Sequence, residues 1–458
     1  MIRYILSVVL LFSAMTGVRA ENPDSVQLRK IFENAITNRE AYHNLEFLCK
    51  QAPGRLLGSP NSYIAVDYMK DYAKQMGADT VFLQQYITPA WIHASSEAGI
   101  VYDDGSEYAL TVDALGPSAP TPAEGITAEV IELTQVEDIE RLGREKIGGR
   151  IVFFNRPMKP TFINPFAAYG EAVDQRYWGP VKAAEYGAAG VIVRSMTYNL
   201  NDIPHTGSCA MRENSIPAVA VSTMDADYLS SELKKVPGLM LNINVQATDT
   251  VVTTYNLIAD IRGKEKPEEI ILVGGHIDAW FNTEGAHDDG AGCVQAMDVL
   301  RIIRDLDIQN KHTIRAVMFM DEELYQSGGA AYAKYTKENG IDHLLAIESD
   351  AGAFMPIGIT FSADPDFIAE MQQFKSLLEP YGGGFLKKGY GGVDINPLKE
   401  FGVPLAGLNT VRQRYYNYHH CKSDTFSEVS FRELQMGTTL LAGLIYLVDR
   451  HWESTDDN

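Results

Sequence analysis

The chain has 458 residues, 45% hydrophobic and 22% charged, enough for two or three packed domains and too apolar for a disordered polymer. Its 60 acidic and 39 basic residues give a formal charge of −21, which speaks against a protein that tracks a phosphate backbone and for plain solubility. Beyond the first twenty residues no apolar run of about 20 could span a bilayer, so neither nucleic acid nor membrane is an expected partner.

The first element in chain order reads as a secretory signal: Arg3 as the positive end, Tyr4 to Ala14 as the apolar stretch, and Val18-Arg19-Ala20 as a small-residue cleavage site. With residues 1–20 set apart, loss of Arg3 and Arg19 takes the formal charge from −21 to −23, and a secreted or periplasmic location is expected. In such a compartment Cys49, Cys209, Cys293 and Cys421 could form up to two disulfides; none has zinc-ribbon spacing. Residues 21–123 open the main domain, with a helical lead-in from Ser25 to about Asp79 interrupted by a loop at Arg55-Leu-Leu-Gly-Ser-Pro60. Across 124–247 the texture changes to short β-rich runs (Glu129–Leu133, Arg150–Asn155, Gly190–Ser195, Ala218–Ser222) with one helical stretch, Val181–Gly187, which predicts an inserted β-rich domain. Residues 248–458 alternate strand, loop and helix, the pattern of an α/β fold with a mostly parallel mixed sheet flanked by helices. Gly290–Asp305 and Gly328–Asn339 are its crossover helices, and Ser430-Phe-Arg-Glu433 is a capping box opening the last helix.

Polar groups gather where apolar runs end, after Ile270–Gly274, Ile314–Met320 and Leu344–Ile347, and open α/β sheets bind ligands at strand ends. In Gly274-Gly-His276-Ile-Asp278, positions two apart share a face, so Asp278 can accept from the His276 ring nitrogen that does not bind metal. Downstream, Asp288-Asp289-Gly290-Ala-Gly292 offers Asp288 to bridge two ions and glycines that let a helix come close. A helix-capping turn beside an ordinary histidine is the competing reading, and the joint pattern favours metal. Met318-Phe-Met-Asp321-Glu322-Glu323 ends an apolar strand in three acids whose neighbouring side chains diverge. Glu323 is assigned to metal and Glu322 to the attacking water, as general base and later acid; an exchange of these two roles stays open. Asp350, after the next strand, completes one metal shell or else caps a helix. In Tyr418-His419-His420-Cys421 two adjacent imidazoles do not comfortably face one ion, so His420 is the chosen ligand. Asp424 would support its loop, and His419 would donate to an oxyanion or simply pack. Two imidazoles and three carboxylates without thiolates suit zinc, with manganese or cobalt as substitutes. Two such ions about 3.5–4 Å apart make peptide or amide hydrolysis the expected reaction.

At these residues the chain resembles the co-catalytic zinc exopeptidases, and most of all their carboxypeptidase Q-like branch. Gly-Gly-His-x-Asp, Asp-Asp-Gly-x-Gly, Glu-Glu, Glu-Ser-Asp and His-His-x-x-x-Asp-Thr occur in the family's order, and Arg55-Leu-Leu-Gly-Ser59, Pro204-His-Thr-Gly207 and Ile216-Pro-Ala-Val-Ala220 extend the likeness over nearly the whole mature chain. The resemblance implies two zinc ions, one held by His276 and Asp350, the other by Glu323 and His420, with Asp288 bridging both and Glu322 as base. It also implies a cis bond between Asp288 and Asp289, a protease-associated domain at 124–247, and homodimer contacts. The expected substrate is a dipeptide or short peptide. Tyr325, where many relatives have an early glycine, would narrow or reshape the pocket, and Arg412 and Arg414 are either a clamp for a substrate carboxylate or, the more common case, ordinary surface arginines. Two other readings on the same fold are a non-catalytic, receptor-like binding protein, which should lack ligands or base, and a glutaminyl cyclase, which uses one zinc and has no insert.

Overall fold

Three helices, Pro23–Thr37, Glu40–Gln51 and Pro60–Gln75, open the chain in the computed structural model, which describes residues 22–210 and 215–452. The expected signal at 1–20 lies outside the described residues. The third helix starts sharply because Ser59 accepts from the Ser62 N–H while Pro60 occupies the first turn, where no donor is needed. These helices bury Leu28, Ile31, Leu45, Leu48, Val66 and Met69 against the sheet that follows.

That sheet runs, strand by strand, through Leu386–Lys388, Pro356–Ser362, Leu405–Thr410, Asp342–Glu348, Lys266–His276, His312–Phe319 and Met240–Ile261. Asp342–Glu348, Lys266–His276 and His312–Phe319 lie parallel side by side, so their C-terminal ends open on one edge. All eight residues of His312–Phe319 are buried, as expected of a strand covered on both faces. Successive residues divide between two apolar layers. Ile271 and Val273 meet the layer built with the helices Ala291–Asp305 and Phe431–His451, while Ile270 and Leu272 join Tyr332 and Ala333 of the helix Ser327–Asn339 on the other face. Both crossover helices thus fall where the sequence places them. Ser430 does accept from the Glu433 N–H, but the Glu433 carboxylate pairs with Arg414, so the box is half formed.

One feature escaped the sequence reading. Thr80–Val101 and Met240–Ile261, 22 residues each, form an antiparallel ribbon, broken only by an irregularity between His93 and Ser95. At one end Leu257–Ile261 pairs with the central sheet; at the other Met240–Ile243 pairs with Ile126–Glu129. From there an outer layer continues through Ile151–Phe154, Gly190–Arg194 and Ala218–Val221, all parallel, with Val112–Ala114 antiparallel at its edge. This outer segment is α/β rather than β-rich: helices Asp138–Ile147, Pro165–Ala172, Gly179–Glu185 and Thr223–Lys235 connect its strands. Ile151–Phe154, Gly190–Arg194 and Ala218–Val221 are short and wholly buried, and buried strands of this kind need helical cover. All four cysteines are buried, and Cys49, Cys293 and Cys421 are free thiols.

Candidate metal centre

The five expected ligands and Glu322 converge at the C-terminal ends of the parallel strands. His276 closes its strand, and its Nε2 lies 3.2 Å from Asp288 Oδ1 and 3.8 Å from Asp350 Oδ1. His420 Nε2 lies 3.4 Å from Asp288 Oδ2 and 3.1 Å from Glu323 Oε2. Asp288 therefore turns one oxygen to each imidazole, the arrangement of a bridging carboxylate. Glu322 Oε2 stands 4.0 Å from His276 Nε2, and its side chain is 15% exposed, against 2% for Glu323, so Glu322 is the acid that faces the opening. The Asp288–Asp289 peptide is cis.

Several groups set this geometry. Asp278 accepts from the backbone N–H of Glu322 at 3.2 Å and of Glu323 at 3.3 Å, which ties the acidic turn to the histidine strand. The His276 Nδ1 donates to the Asp278 carbonyl at 3.2 Å, with the Asp278 carboxylate at 3.5 Å, leaving Nε2 as the free acceptor. Asp424 accepts from the N–H of His287 and of Asp288, at 2.7 and 3.1 Å, so it supports the bridging residue as well as its own loop. Burial pushes the Asp424 carboxyl up to about 8. Asp289 accepts from the N–H of His276 and of Gly292. A Cβ on Gly292 would lie 1.8 Å from the Ser349 carbonyl oxygen, which is the close approach that glycine permits. Arg55, fully buried, donates to the carbonyls of Ile277, Glu284 and Gly285 at 2.5–2.7 Å and holds the segment leading into Asp288. That role has no signature in the sequence, because carbonyl partners leave no trace in residue type.

The cluster behaves electrostatically as an anionic cage. Burial, reinforced by the neighbouring carboxylates, raises Glu322, Glu323 and Asp350 above the ordinary carboxylate range, most for the two glutamates. Asp288 is lowered despite its burial, because His276 and His420 flank it. His420 is pulled down to about 3 by burial, with Asp288 opposing. His276 Nε2, Asp288 Oδ2, Glu323 Oε1 and Asp350 Oδ1 are all buried without a hydrogen-bond partner. Orphaned lone pairs converging on one space are costly unless a cation fills it, so these residues fit divalent metal.

The remaining candidates divide. The His419 ring stacks on His420 at 3.5 Å between centroids, and its ligand atom lies within 4.8 Å of those of Asp288 and His420. Tyr325 is partly buried against the apolar layers. Arg412 lies over the Phe166 ring and donates to Asn409, while Arg414 lies over Phe354 and pairs with Glu433 at 3.1 Å. A cavity of about 660 Å³, lined by residues including Asp342, Lys388 and Trp452, lies at the opposite strand ends and includes no member of the cluster.

Residues 256–445 match the model of peptidase family M28, a span that contains every residue of the cluster. The chain belongs to this family and is a metallopeptidase of the exopeptidase kind, dependent on a metal cofactor and acting on peptides. Within it the chain falls in the carboxypeptidase Q-like branch. It is 32% identical to carboxypeptidase Q of Xenopus laevis over 391 residues, covering 84% of this chain and 81% of the relative, and 31% identical to that of Homo sapiens over 411 residues, covering 89% and 85%. The crystal structure of a peptidase M28 precursor from Shewanella amazonensis SB2B superimposes with a TM-score of 0.89 at 28% identity, covering 94% of this chain and 98% of that one. A zinc aminopeptidase from Bacillus subtilis shares the fold, with a TM-score of 0.68 at 19% identity over 91% and 96% of the two chains. A receptor-like protein on this fold should have lost ligands or base; all six side chains are present here.

Proposed function

We propose that this chain is a secreted or periplasmic dinuclear zinc exopeptidase that cleaves dipeptides or short peptides. The observation that carries the reading is Asp288, with one carboxylate oxygen turned to each of two imidazoles. His276 and Asp350 would hold one ion and Glu323 and His420 the other, with Asp288 shared. Nitrogen and carboxylate donors without thiolates suit zinc. The names of relatives, carboxypeptidase and aminopeptidase, support removal of a terminal residue. The outer segment, 124–247, is read as a protease-associated domain bordering the site.

When bound, zinc supplies Lewis-acid polarisation of the scissile carbonyl and positive charge for the oxyanion. Glu322 takes a proton from the attacking water as its oxygen adds to the carbonyl carbon, then delivers that proton to the leaving amine as the C–N bond breaks. Asp278 fixes where Glu322 stands through the two turn N–H groups. His419, stacked on His420, would donate to the oxyanion.

A Glu322→Gln chain tests this directly. It should keep about two zinc ions and lose roughly 10²–10⁴-fold in turnover. Unchanged hydrolysis would remove Glu322 from its role.

A further inference from the structure

His420 is held by residues far from it in the chain. Its φ is 58°, a left-handed conformation that non-glycine residues keep only under restraint. Much of the restraint comes from residues 205–208 of the outer segment, 214 positions earlier. The Thr206 N–H donates to the His420 carbonyl at 3.0 Å, and His420 Nδ1 donates to the Thr206 carbonyl at 3.2 Å. One residue back, His205 Nδ1 meets the His419 carbonyl at 2.7 Å. This pairing fixes both the backbone of His420 and which ring nitrogen is left to face Asp288 and Glu323.

The short segment is itself pinned. Arg176, 5% exposed, donates through Nε to the Ser208 carbonyl at 3.1 Å and through Nη1 to the Thr206 carbonyl at 3.4 Å. Its guanidinium has no carboxylate within ion-pair distance among the described residues and lies over the Tyr169 ring at 5.6 Å. The Thr206 hydroxyl donates to the Ala114 carbonyl, and the Gly116 N–H to the Gly207 carbonyl. Gly207 has φ 150°, and a Cβ there would stand 2.2 Å from Arg176 Nη1 and 2.8 Å from His420 Nδ1. Only glycine lets guanidinium and imidazole close on the same carbonyl.

We propose that Arg176, Thr206 and Gly207 are positioning residues for the ligand His420, so that docking of the outer segment and metal occupancy at His420 and Glu323 are thermodynamically linked. Partners that orient a ligating imidazole are worth about 10–100-fold in metal affinity. Because linkage is reciprocal, metal bound at His420 must stabilise the docked segment by the same factor. The inference rests on the dinuclear reading above, and the two fail differently.

The test uses the full chain, with zinc alone as the probe. Zinc stoichiometry and dissociation constants are measured for the wild type, Gly207→Ala, Arg176→Gln and Arg176→Lys, and amide hydrogen exchange at residues 205–208 is followed with and without zinc. The wild type should bind two ions, and zinc should slow exchange at Thr206. Gly207→Ala and Arg176→Gln should keep one ion at wild-type affinity and weaken the other about 10–100-fold, with Arg176→Lys between them. Folded variants that hold both ions at wild-type affinity overturn the inference and leave the dinuclear reading standing. A wild type that binds fewer than two ions overturns the dinuclear reading first. Should the variants fail to fold, exchange in the wild type decides: protection of Thr206 by zinc supports the linkage, and no change refutes it.

Discussion

Asp278 shows how much of this site depends on a side chain that need not touch metal. Its two oxygens serve the N–H groups of Glu322 and Glu323, so Asp278→Ala leaves two donors unsatisfied, one of them on a buried residue. Each such loss costs about 1–3 kcal/mol, and the proposed base and one proposed ligand shift together. The expected outcome is a chain that melts lower and has a reduced kcat as well as weaker zinc retention, measured by calorimetry, kinetics and metal analysis. Wild-type kcat and zinc content in that variant would show that the acidic turn holds itself. His343 provides a test away from the metals. It is 5% exposed, hydrogen-bonded to the Tyr332 hydroxyl at 2.9 Å, and pulled down to about 3 by burial, with Arg315 adding to the effect. A histidine lowered on folding binds its proton first in the unfolded chain, so its contribution is fully present above about pH 6.5 and is lost as pH falls toward 3. The slope should be up to about 1.4 kcal/mol per pH unit, and His343→Gln should flatten denaturant-derived stability against pH by that amount between pH 6 and 4. An unaltered slope would place the acid sensitivity elsewhere.

Strands and helices were legible in proportion to how completely they are buried. Ile270–His276 and His312–Phe319 read clearly because both faces are covered and apolar residues dominate them. The 22-residue ribbon strand Thr80–Val101 did not, because exposed and half-buried positions run along it without the strict alternation that marks a strand. Of the outer helices, Gly179–Glu185 was foreseen as Val181–Gly187, while Asp138–Ile147 and Thr223–Lys235 were missed for a related reason: polar stretches between short apolar runs look like loops until the strands they must cover are known. The proposed ligands were legible because they are chemically distinctive residues, and His276, Glu323 and Asp350 stand at or just after the ends of apolar strands. The support given by Arg55 and Thr206 could not be found, since bonds to carbonyls over long sequence separations leave no pattern. Gly292 belongs to both worlds. Gly292→Ala would drive a methyl into the Ser349 carbonyl, forcing the helix Ala291–Asp305 off the sheet beside Asp350. A loss on the order of 1–3 kcal/mol is expected, read as a lower melting temperature, and a wild-type melting curve would contradict the close packing. Farther along the sheet, Arg315 grips Asp260 through two bonds of 2.8 and 2.9 Å between adjacent strands. Removing one partner, as in Asp260→Ala, should cost about 3–5 kcal/mol in chemical denaturation.

At the scale of the whole molecule, the site is a junction. The central sheet brings His276, Glu323 and Asp350, the loop before the last helix brings His420, and the outer segment clasps that loop from the far side. Crowded carboxylates with orphaned oxygens oppose folding until cations enter, so metal should act as a folding ligand. At a zinc concentration about 100 times the dissociation constant the chain should gain about 2.7 kcal/mol per independent site, and chelation should lower the melting temperature reversibly. The measurement that bears most directly on the proposed dinuclear centre is anomalous diffraction at the zinc edge from crystals grown with zinc. Two peaks about 3.5–4 Å apart are expected, one against His276 and Asp350, the other against Glu323 and His420, with Asp288 touching both. A single peak, or peaks away from Asp288, would contradict it.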